Sequence, residues 1–221
     1  MKIRILLALI ICFVSSPVAA QVIIPHQSMP GMHNADIHGA LMLSDVEYDF
    51  DSGGDAEIER TIVGISSSYG LNQSLSLFGE FGLIAESEIE NSRDDGNGFL
   101  LGAGLKGPLL YQGRFSVTGF GGIRFIDEDY GDSVDGQLFE LHGGVVGRYA
   151  LEKNLGVYAG LDVIPFSDGE VDSPRGKSDF ERDNILGLRL GIDFLIQQAQ
   201  VNAEVALVSE EAFVIRIGTK L

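Results

Sequence analysis

Soft metal ligands lie close together in one short segment near the start of the chain, HQSMPGMH. His26 and His33 offer imidazole nitrogens, and Met29 and Met32 offer thioether sulfurs. These donor types suit Cu(I) in a segment without cysteine. Weak copper binding is therefore one interpretation of this segment, and an ordinary flexible linker is the other.

Hard oxygen ligands alternate with other residues in the acidic segment DFDSGGD. Asp49, Asp51 and Asp55 have a spacing similar to that of the carboxylates in a calcium loop. The segment lacks the glutamate that completes an EF-hand, so a solvated acidic loop is the alternative. We expect no tightly held cofactor, and at most weak Ca²⁺ or Mg²⁺ binding at the acidic loops.

Catalysis is not indicated by the other two histidines. A histidine acting as a general base at the surface would have to lie in a loop, and the acidic loops contain none. His38 and His142 also lack a serine two residues further on, which a histidine–serine pair on a strand would need. We predict that the protein is not an enzyme and that both side chains face an interior.

The first 20 residues have the layout of a secretory signal peptide. A basic head is followed by an apolar stretch over 5–14 and by small residues over 18–20. The single cysteine, Cys12, lies inside this signal, so the mature chain has no thiol chemistry. Residues 21–35 contain two prolines and no periodic pattern. We interpret them as a flexible periplasmic linker that precedes one domain over 36–221.

The charge balance excludes one class of partner. The chain has 32 acidic and 15 basic residues, a formal net charge of -17. Such a chain repels nucleic acid. The mean hydropathy is nevertheless positive, although no apolar run after the signal approaches the ~20 residues of a membrane helix. Alternating strands rich in glycine would explain this combination.

Apolar and polar residues alternate along most of the chain after residue 36, as in FSVTGFGGIRF at 115–125. The candidate strands are 36–50, 57–70, 73–89, 97–108, 113–127, 137–151, 154–166, 183–196, 199–209 and 211–221. Short turns alternate with long acidic connections, which is typical of outer-membrane barrels. The pattern predicts an all-β fold, an antiparallel up-and-down transmembrane β-barrel of ten strands, with eight as the alternative.

The polar face of these strands mixes charges of both signs with glycine, which favours a narrow lumen over a water-facing surface. Glu204 beside Arg216 is one of several expected ion pairs on adjacent strands. The predicted lumen-facing network is Glu80, Lys106, Arg114, Arg124, Glu140, His142, Arg148, Asp162, Arg189, Asp193, Glu204 and Arg216. The alternative is a secreted soluble β-barrel that binds a ligand. In that fold, these charged residues would face the surrounding water.

Two details concern the ends of the strands. The first strand is expected to change parity near Ser44 and Asp45 through a β-bulge. Aromatic residues on the apolar face are expected to form belts at both lipid interfaces. The belt residues are Tyr48, Phe50, Phe99, Phe125 and Phe139 on the loop side, with Phe115 and Tyr149 on the turn side.

In its architecture over 36–221, the chain resembles the OmpA/OmpX-like superfamily of small outer-membrane β-barrel proteins and its ten-stranded relatives. The resemblance implies a bacterial outer-membrane location, contact with lipid and lipopolysaccharide, and insertion by the barrel-assembly machinery. We expect a largely plugged lumen, acidic extracellular loops and a structural or surface-interaction role. A narrow ion- or solute-conducting pore is the alternative. The oligomeric state, and whether loop 165–183 folds inward or outward, stay open.

Overall fold

The computed structural model describes residues 29–51, 54–89, 95–131, 134–174, 176–207 and 211–221. The predicted signal peptide and His26 lie outside the described residues. Within them, no helix is long and apolar enough to cross a membrane.

The described chain is built from β-strands joined by turns. The strands are β1 Ala35–Phe50, β2 Asp55–Gly70, β3 Ser76–Ile89, β4 Asp95–Gln112, β5 Phe115–Asp129, β6 Asp135–Glu152, β7 Leu155–Ser173, β8 Gly176–Arg182, β9 Leu186–Ile196, β10 Ala199–Leu207 and β11 Glu211–Lys220. All pairings between these strands are antiparallel.

Ten of the strands form a closed ring. Each pairs with its neighbour in chain order, except that β7 passes over β8 and pairs with β9. The ring closes where β11 pairs with β1, from Asp36 opposite Lys220 to Asp45 opposite Glu211. The prediction of a ten-stranded antiparallel barrel is therefore confirmed. Closure leaves no free sheet edge in the ring, which a bilayer requires because lipid cannot hydrogen-bond to the backbone.

The short strand β8 changes the ring at one end. It pairs with the upper part of β7, from Gly169 onward, and with the upper end of β1 at Tyr48–Phe50. Above the ends of β9, β10 and β11, the wall is thus completed by β8 and contains the eight strands β1–β8. We call this part the outer ring. Segment 165–183 is therefore neither an inward plug nor a free loop, because most of it belongs to the wall.

Side chains alternate between the two faces of the wall because a strand has a period of two. On β1, Ile37, Leu41 and Leu43 are exposed, whereas Asp36 and Met42 are fully buried. The outward side chains form an apolar belt around the ten-stranded ring, and the inward ones fill its interior. The expected bulge in the first strand is wrong, since β1 pairs with β2 without a register shift.

Several strands continue beyond the apolar belt, and this corrects two expectations. Much of the predicted acidic loop sequence is strand: β5 reaches Asp129 and β6 starts at Asp135. The carboxylates of Asp127, Asp129 and Asp135 lie on the outside of the wall, whereas Glu128 is buried inside it. Tyr48 is not part of an aromatic belt, because unbroken parity on β1 turns it inward, where it is fully buried.

Inward-facing glycines make room for long side chains on neighbouring strands. A Cβ on Gly218 would lie 2.1 Å from Nδ1 of His38, its neighbour across the β1–β11 pairing. A Cβ on Gly122 would lie 2.6 Å from the carbonyl oxygen of Ala103 and 2.9 Å from Nε2 of His142. A barrel of this size can hold arginine and tyrosine side chains only where such small residues alternate with them.

The end of the predicted linker contacts the barrel. The backbone N–H of His33 donates a 2.8 Å hydrogen bond to the carbonyl of Gly70, and Met32 forms an isolated bridge with the same glycine. Pro30 is buried. This stretch of the chain therefore packs against the end of β2 beside the short turns.

Gly122 and Gly121 allow a matched test of the interior packing. Gly122→Ala places its methyl group against backbone and should lower the free energy of unfolding by about 1–3 kcal/mol. Gly121→Ala points outward, where the nearest atom would lie 3.7 Å away, and should leave it nearly unchanged. Urea unfolding in lipid vesicles measures both. Equal effects would contradict the assignment of the two faces.

Candidate functional site: the charged interior and the acidic rim

One ionic cluster joins β3, β5, β6 and β8 inside the barrel. Nη1 of Arg124 lies 3.1 Å from Oε2 of Glu140, and Nε of Arg124 lies 3.6 Å from Oε1 of Glu80. The guanidinium of Arg182 donates to the other oxygen of Glu140. All four side chains are nearly inaccessible to solvent. Buried charges persist only when paired, and here each carboxylate has an arginine partner.

A second cluster joins β7, β9, β10 and β11. The guanidinium of Arg189 donates to Asp162 and lies 3.3 Å from Oε1 of Glu204. Arg216 donates to the same glutamate oxygen over 3.0 Å. The guanidinium of Arg189 also lies 5.6 Å from the centre of the Phe120 ring, as in a cation–π contact.

Near the short turns, Arg148 forms a two-bonded pair with Asp193, over 2.8 Å and 2.6 Å, and is half-buried. Arg114 does not belong to this interior, which corrects the expectation. It is exposed in the turn between β4 and β5 and donates to the carbonyl of Leu151 over 3.3 Å. The reason is that β5 begins only at Phe115, after a turn in which Gly113 has a φ of 60°.

Lys106, His38 and His142 also face inward and are buried. Nε2 of His38 lies 3.9 Å from Oδ1 of Asp36. The ring of His142 meets Phe78 edge-on, with 6.3 Å between the ring centres. Eleven of the twelve residues of the predicted lumen-facing network therefore lie inside the barrel. Arg114 is the exception.

The sequence interpretation missed a polar cluster in the outer ring. Arg60 forms a two-bonded pair with Glu128, both bonds being 2.7 Å, and donates to the hydroxyl of Tyr48 over 3.0 Å. The hydroxyl of Ser87 donates to Glu128 over 2.7 Å. Burial disfavours the carboxylate, but the attraction of Arg60 and these hydrogen bonds hold the pKa of Glu128 below its usual value. The sequence did not indicate this cluster because Glu128 lies one residue beyond the predicted strand 113–127 and because the expected bulge in the first strand turned Tyr48 outward.

An apolar cluster fills the interior next to these polar groups. Its buried members are Ala40, Met42, Val46, Tyr48, Ile58, Ile62, Ile84, Leu100, Ile126, Leu138, Phe180, Ala206, Ala212 and Val214. Met42, Ile62, Leu100 and Ile126 have no solvent exposure. The interior therefore combines ionic and apolar packing.

Among the predicted metal ligands that the structure describes, no three lie together. Met32 and His33 are exposed beside the end of β2, where a ring nitrogen of His33 lies 3.2 Å from the hydroxyl of Tyr69. Asp49 and Asp55 lie opposite each other on β1 and β2, and Asp51 follows in the turn. In the described ranges, no three His, Cys, Asp or Glu residues are grouped as metal ligands would be. Met29 is half-buried.

Carboxylates cover the outside of the outer ring and of the adjoining edge of the ten-stranded ring, and we call this surface the acidic rim. Its members are Asp45, Glu47, Asp49, Asp55, Glu57, Glu59, Glu86, Glu88, Asp95, Asp127, Asp129, Asp135, Asp168, Glu170, Asp172, Asp179, Glu181 and Glu211. Many lie directly opposite one another on neighbouring strands, as do Asp45 and Glu59, Glu88 and Asp95, and Asp129 and Asp135. Like charges in such positions are destabilising.

Burial, hydrogen bonds and neighbouring like charges raise the pKa values of two carboxyl groups of the rim. Partial burial raises the pKa of Asp45 to about 7, together with a hydrogen bond to Glu57 and the charges of Glu57, Glu59 and Glu211. The pKa of Asp49 is also raised, first by a hydrogen bond shared with Asp55. The rim thus attracts protons and other cations.

Searches with the sequence alone find no matching family model and no matching curated protein. The structure is similar to the outer membrane protease OmpT from Escherichia coli, with a TM-score of 0.57, 10% identity, and coverage of 88% of this chain and 99% of that chain. The chain has the fold of the small outer-membrane β-barrels. At this identity, the likeness to OmpT shows the fold alone.

Two further barrels align over most of their length. The outer membrane protein OprG from Pseudomonas aeruginosa gives a TM-score of 0.48 at 10% identity, covering 87% of this chain and 98% of that chain. An outer membrane channel from Pseudomonas putida F1 gives 0.49 at 11% identity, covering 91% and 100%.

Removing Arg189 tests the second ionic cluster of the barrel. Arg189→Met leaves Asp162 without its arginine, and loss of one buried partner should cost about 3–5 kcal/mol of the free energy of unfolding. Arg114→Met removes an exposed arginine and should leave the urea midpoint unchanged. If the two variants unfolded at the same urea concentration, the cluster would not stabilise the barrel.

The raised pKa of Asp45 predicts that the free energy of unfolding depends on pH. Its pKa rises from 3.8 in the unfolded chain to about 7 in the fold, so its stabilising contribution is complete below 3.8 and is lost as the pH rises through about 7. Asp45→Asn should therefore raise the urea midpoint at pH 8 but not at pH 4. A gain of equal size at both pH values would contradict this assignment.

Proposed function

We propose that this protein is a bacterial outer-membrane barrel that serves a structural and surface-interaction role. In this proposal the interior is plugged by its own side chains, and the acidic rim faces the outside of the cell. The observation that carries the proposal is the filling of the interior by ionic and apolar side chains, many of them without solvent exposure. A ring of ten strands is narrow enough to be filled in this way, unlike a 16-stranded porin.

The ion pairs support a permanent plug. A conducting path would have to pass Arg124, Arg189 and Arg216, and each of these arginines binds a buried carboxylate. Displacing one partner of a buried pair leaves an uncompensated charge, which is costly. The neighbouring apolar cluster offers an ion no polar groups to replace its water shell.

The distribution of charge supports a role for the outer surface. Among the described residues, the buried and half-buried inward-facing charges balance: the basic ones are Arg60, Lys106, Arg124, Arg148, Arg182, Arg189 and Arg216, and the acidic ones are Asp36, Glu80, Glu128, Glu140, Asp162, Asp193 and Glu204. The negative excess of the chain therefore lies largely on the acidic rim. We propose that Ca²⁺ or Mg²⁺ links these carboxylates weakly to the phosphates of lipopolysaccharide, since both cations prefer oxygen ligands.

Export and assembly complete the proposal. The sequence of residues 1–20 supports secretion through a cleaved signal peptide, and the barrel fold supports the proposal that the barrel-assembly machinery inserts the protein. In this proposal the protein is not an enzyme and holds no cofactor. The burial of His38 and His142 in the interior supports this proposal, because neither imidazole is accessible to a substrate outside the barrel.

A narrow polar path is the second candidate function. It is favoured by buried polar atoms near the short turns that make no hydrogen bond within the described part of the chain, namely both ring nitrogens of His38, both amide atoms of Asn202 and the hydroxyl of Ser76. Such atoms require water or a polar solute. The apolar cluster lies beyond these atoms and extends to Tyr48 and Phe180 in the outer ring, so a path would have to open through it.

Conductance in planar bilayers separates the two candidates. The wild-type barrel should show no steady channel openings. Leu100→Ala with Ile126→Ala shortens two fully buried side chains and should introduce or raise a leak, whereas Leu101→Ala with Ile123→Ala alters exposed side chains on the same strands and should not. Steady openings of the wild-type barrel would overturn the plug and favour the pore.

A further inference from the structure

Strand β8 is anchored differently from every other strand of the outer ring. Strands β1–β7 continue from the outer ring into the ten-stranded ring, where they pair along their length and lie against lipid. β8 runs only from Gly176 to Arg182, and its paired residues on β1 are Tyr48–Phe50, flanked by backbone hydrogen bonds from Asp51 to Asp179 (3.0 Å) and from Asp183 to Glu47. By contrast, β2 pairs with β1 all along Ala35–Asp49. The seam between β1 and β8 is thus the shortest closure of the wall in the described residues.

The inner side of this seam is attractive. Phe180 packs edge-on against Tyr48 and stacks on Phe50, with 5.2 Å between ring centres in both cases. Its ring lies over Gly169 on β7, where a Cβ would meet it at 2.4 Å. Arg182 donates to Glu140 and lies 5.7 Å from the centre of the Tyr48 ring. Two side chains of β8 therefore hold the strand against the interior.

The outer side of the same seam is repulsive. Asp49 on β1 lies directly opposite Glu181 on β8. On its other side it lies opposite Asp55 of β2, and the charge of Asp183 also acts on it. A weak backbone hydrogen bond of 3.4 Å joins the N–H of Asp183 to the carbonyl of Glu47. Like charges facing each other across a strand pair destabilise the pairing.

We infer that the β7–β8 hairpin is a releasable strap: the interior contacts of Phe180 and Arg182 close it on β1, and the carboxylates on the outer side of the seam loosen it. Release opens the outer ring between β1 and β7, above the ends of β9–β11, while the ten-stranded ring stays closed. The released strap then exposes the ion pairs of Glu140 to the outside of the barrel. This inference rests on the proposed orientation, in which the acidic rim faces outward.

Hydrogen exchange of the full mature protein in detergent, without lipopolysaccharide, tests the strap. The amides of 180–182 should exchange on the order of tenfold faster than those of 57–62 in β2, because local release precedes global unfolding. The mature chain has no cysteine of its own under the predicted signal cleavage, so paired cysteines can lock the seam. Asp49→Cys with Glu181→Cys should slow exchange of 180–182 on the order of tenfold.

A matched control separates the seam from the hairpin itself. Glu170 and Asp179 lie opposite each other between β7 and β8, so Glu170→Cys with Asp179→Cys removes the same charge and locks only the hairpin. It should leave the release from β1 intact. Exchange of 180–182 that is no faster than that of 57–62, or that is slowed equally by both disulfides, would overturn the strap.

Charge variants test the two sides of the seam. Glu140→Gln weakens the inner contact with Arg182 and should speed exchange of 180–182, whereas Glu181→Gln relieves the repulsion from Asp49 and should slow it. The reverse order would contradict the inference. A wild-type barrel that conducts steadily would refute the proposed plug, yet it would leave the exchange result, and with it the strap, standing.

Discussion

The structure depends on one constraint: inside a bilayer every backbone N–H and C=O group must find its partner within the protein. A sheet satisfies this rule only by closing, and β11 provides the closure by pairing with β1. Closure then separates the two faces of each strand, since one face meets lipid and the other meets the interior. The exposed Leu41 and the fully buried Met42, adjacent on β1, show how sharply the two environments divide.

The enclosed face explains the unusual composition of the interior. Side chains from ten strands converge there, so long residues fit only beside glycine, as His38 fits beside Gly218. The same enclosure removes water from the charged groups, so arginines and carboxylates occur as mutual partners. The excess of negative charge has no partners left inside and lies on the outer surface. Composition, pairing and surface charge thus follow from the closed ring.

Periodicity in the sequence was sufficient to predict the ring and most of its inward side chains. Alternation over 115–125 placed Arg124 inside because every second residue of a strand shares a face. Three features were beyond its reach. β8 was missed since a segment rich in Asp, Gly and Pro resembles a loop, and its pairing with β1 joins residues far apart in the sequence. The cluster around Arg60 was missed because Glu128 lies just beyond the predicted strand 113–127 and because the expected bulge in the first strand turned Tyr48 outward. Arg114 was wrongly placed inside because the predicted strand began at residue 113, two residues before β5 begins, and these two residues belong to the turn.

At the outer end, β8 takes the place of β9, β10 and β11 in the wall, and this replacement also determines the shape of the molecule. Barrel diameter grows roughly linearly with strand number, so eight strands instead of ten narrow the wall by roughly a fifth. The protein is therefore tapered, widest within the hydrocarbon layer and slimmer above it. In the proposed orientation, this taper leaves additional lateral space around the protein at the level of the head groups. Lipids with bulky, sugar-bearing head groups can occupy that space while their acyl chains stay in contact with the wider part of the barrel.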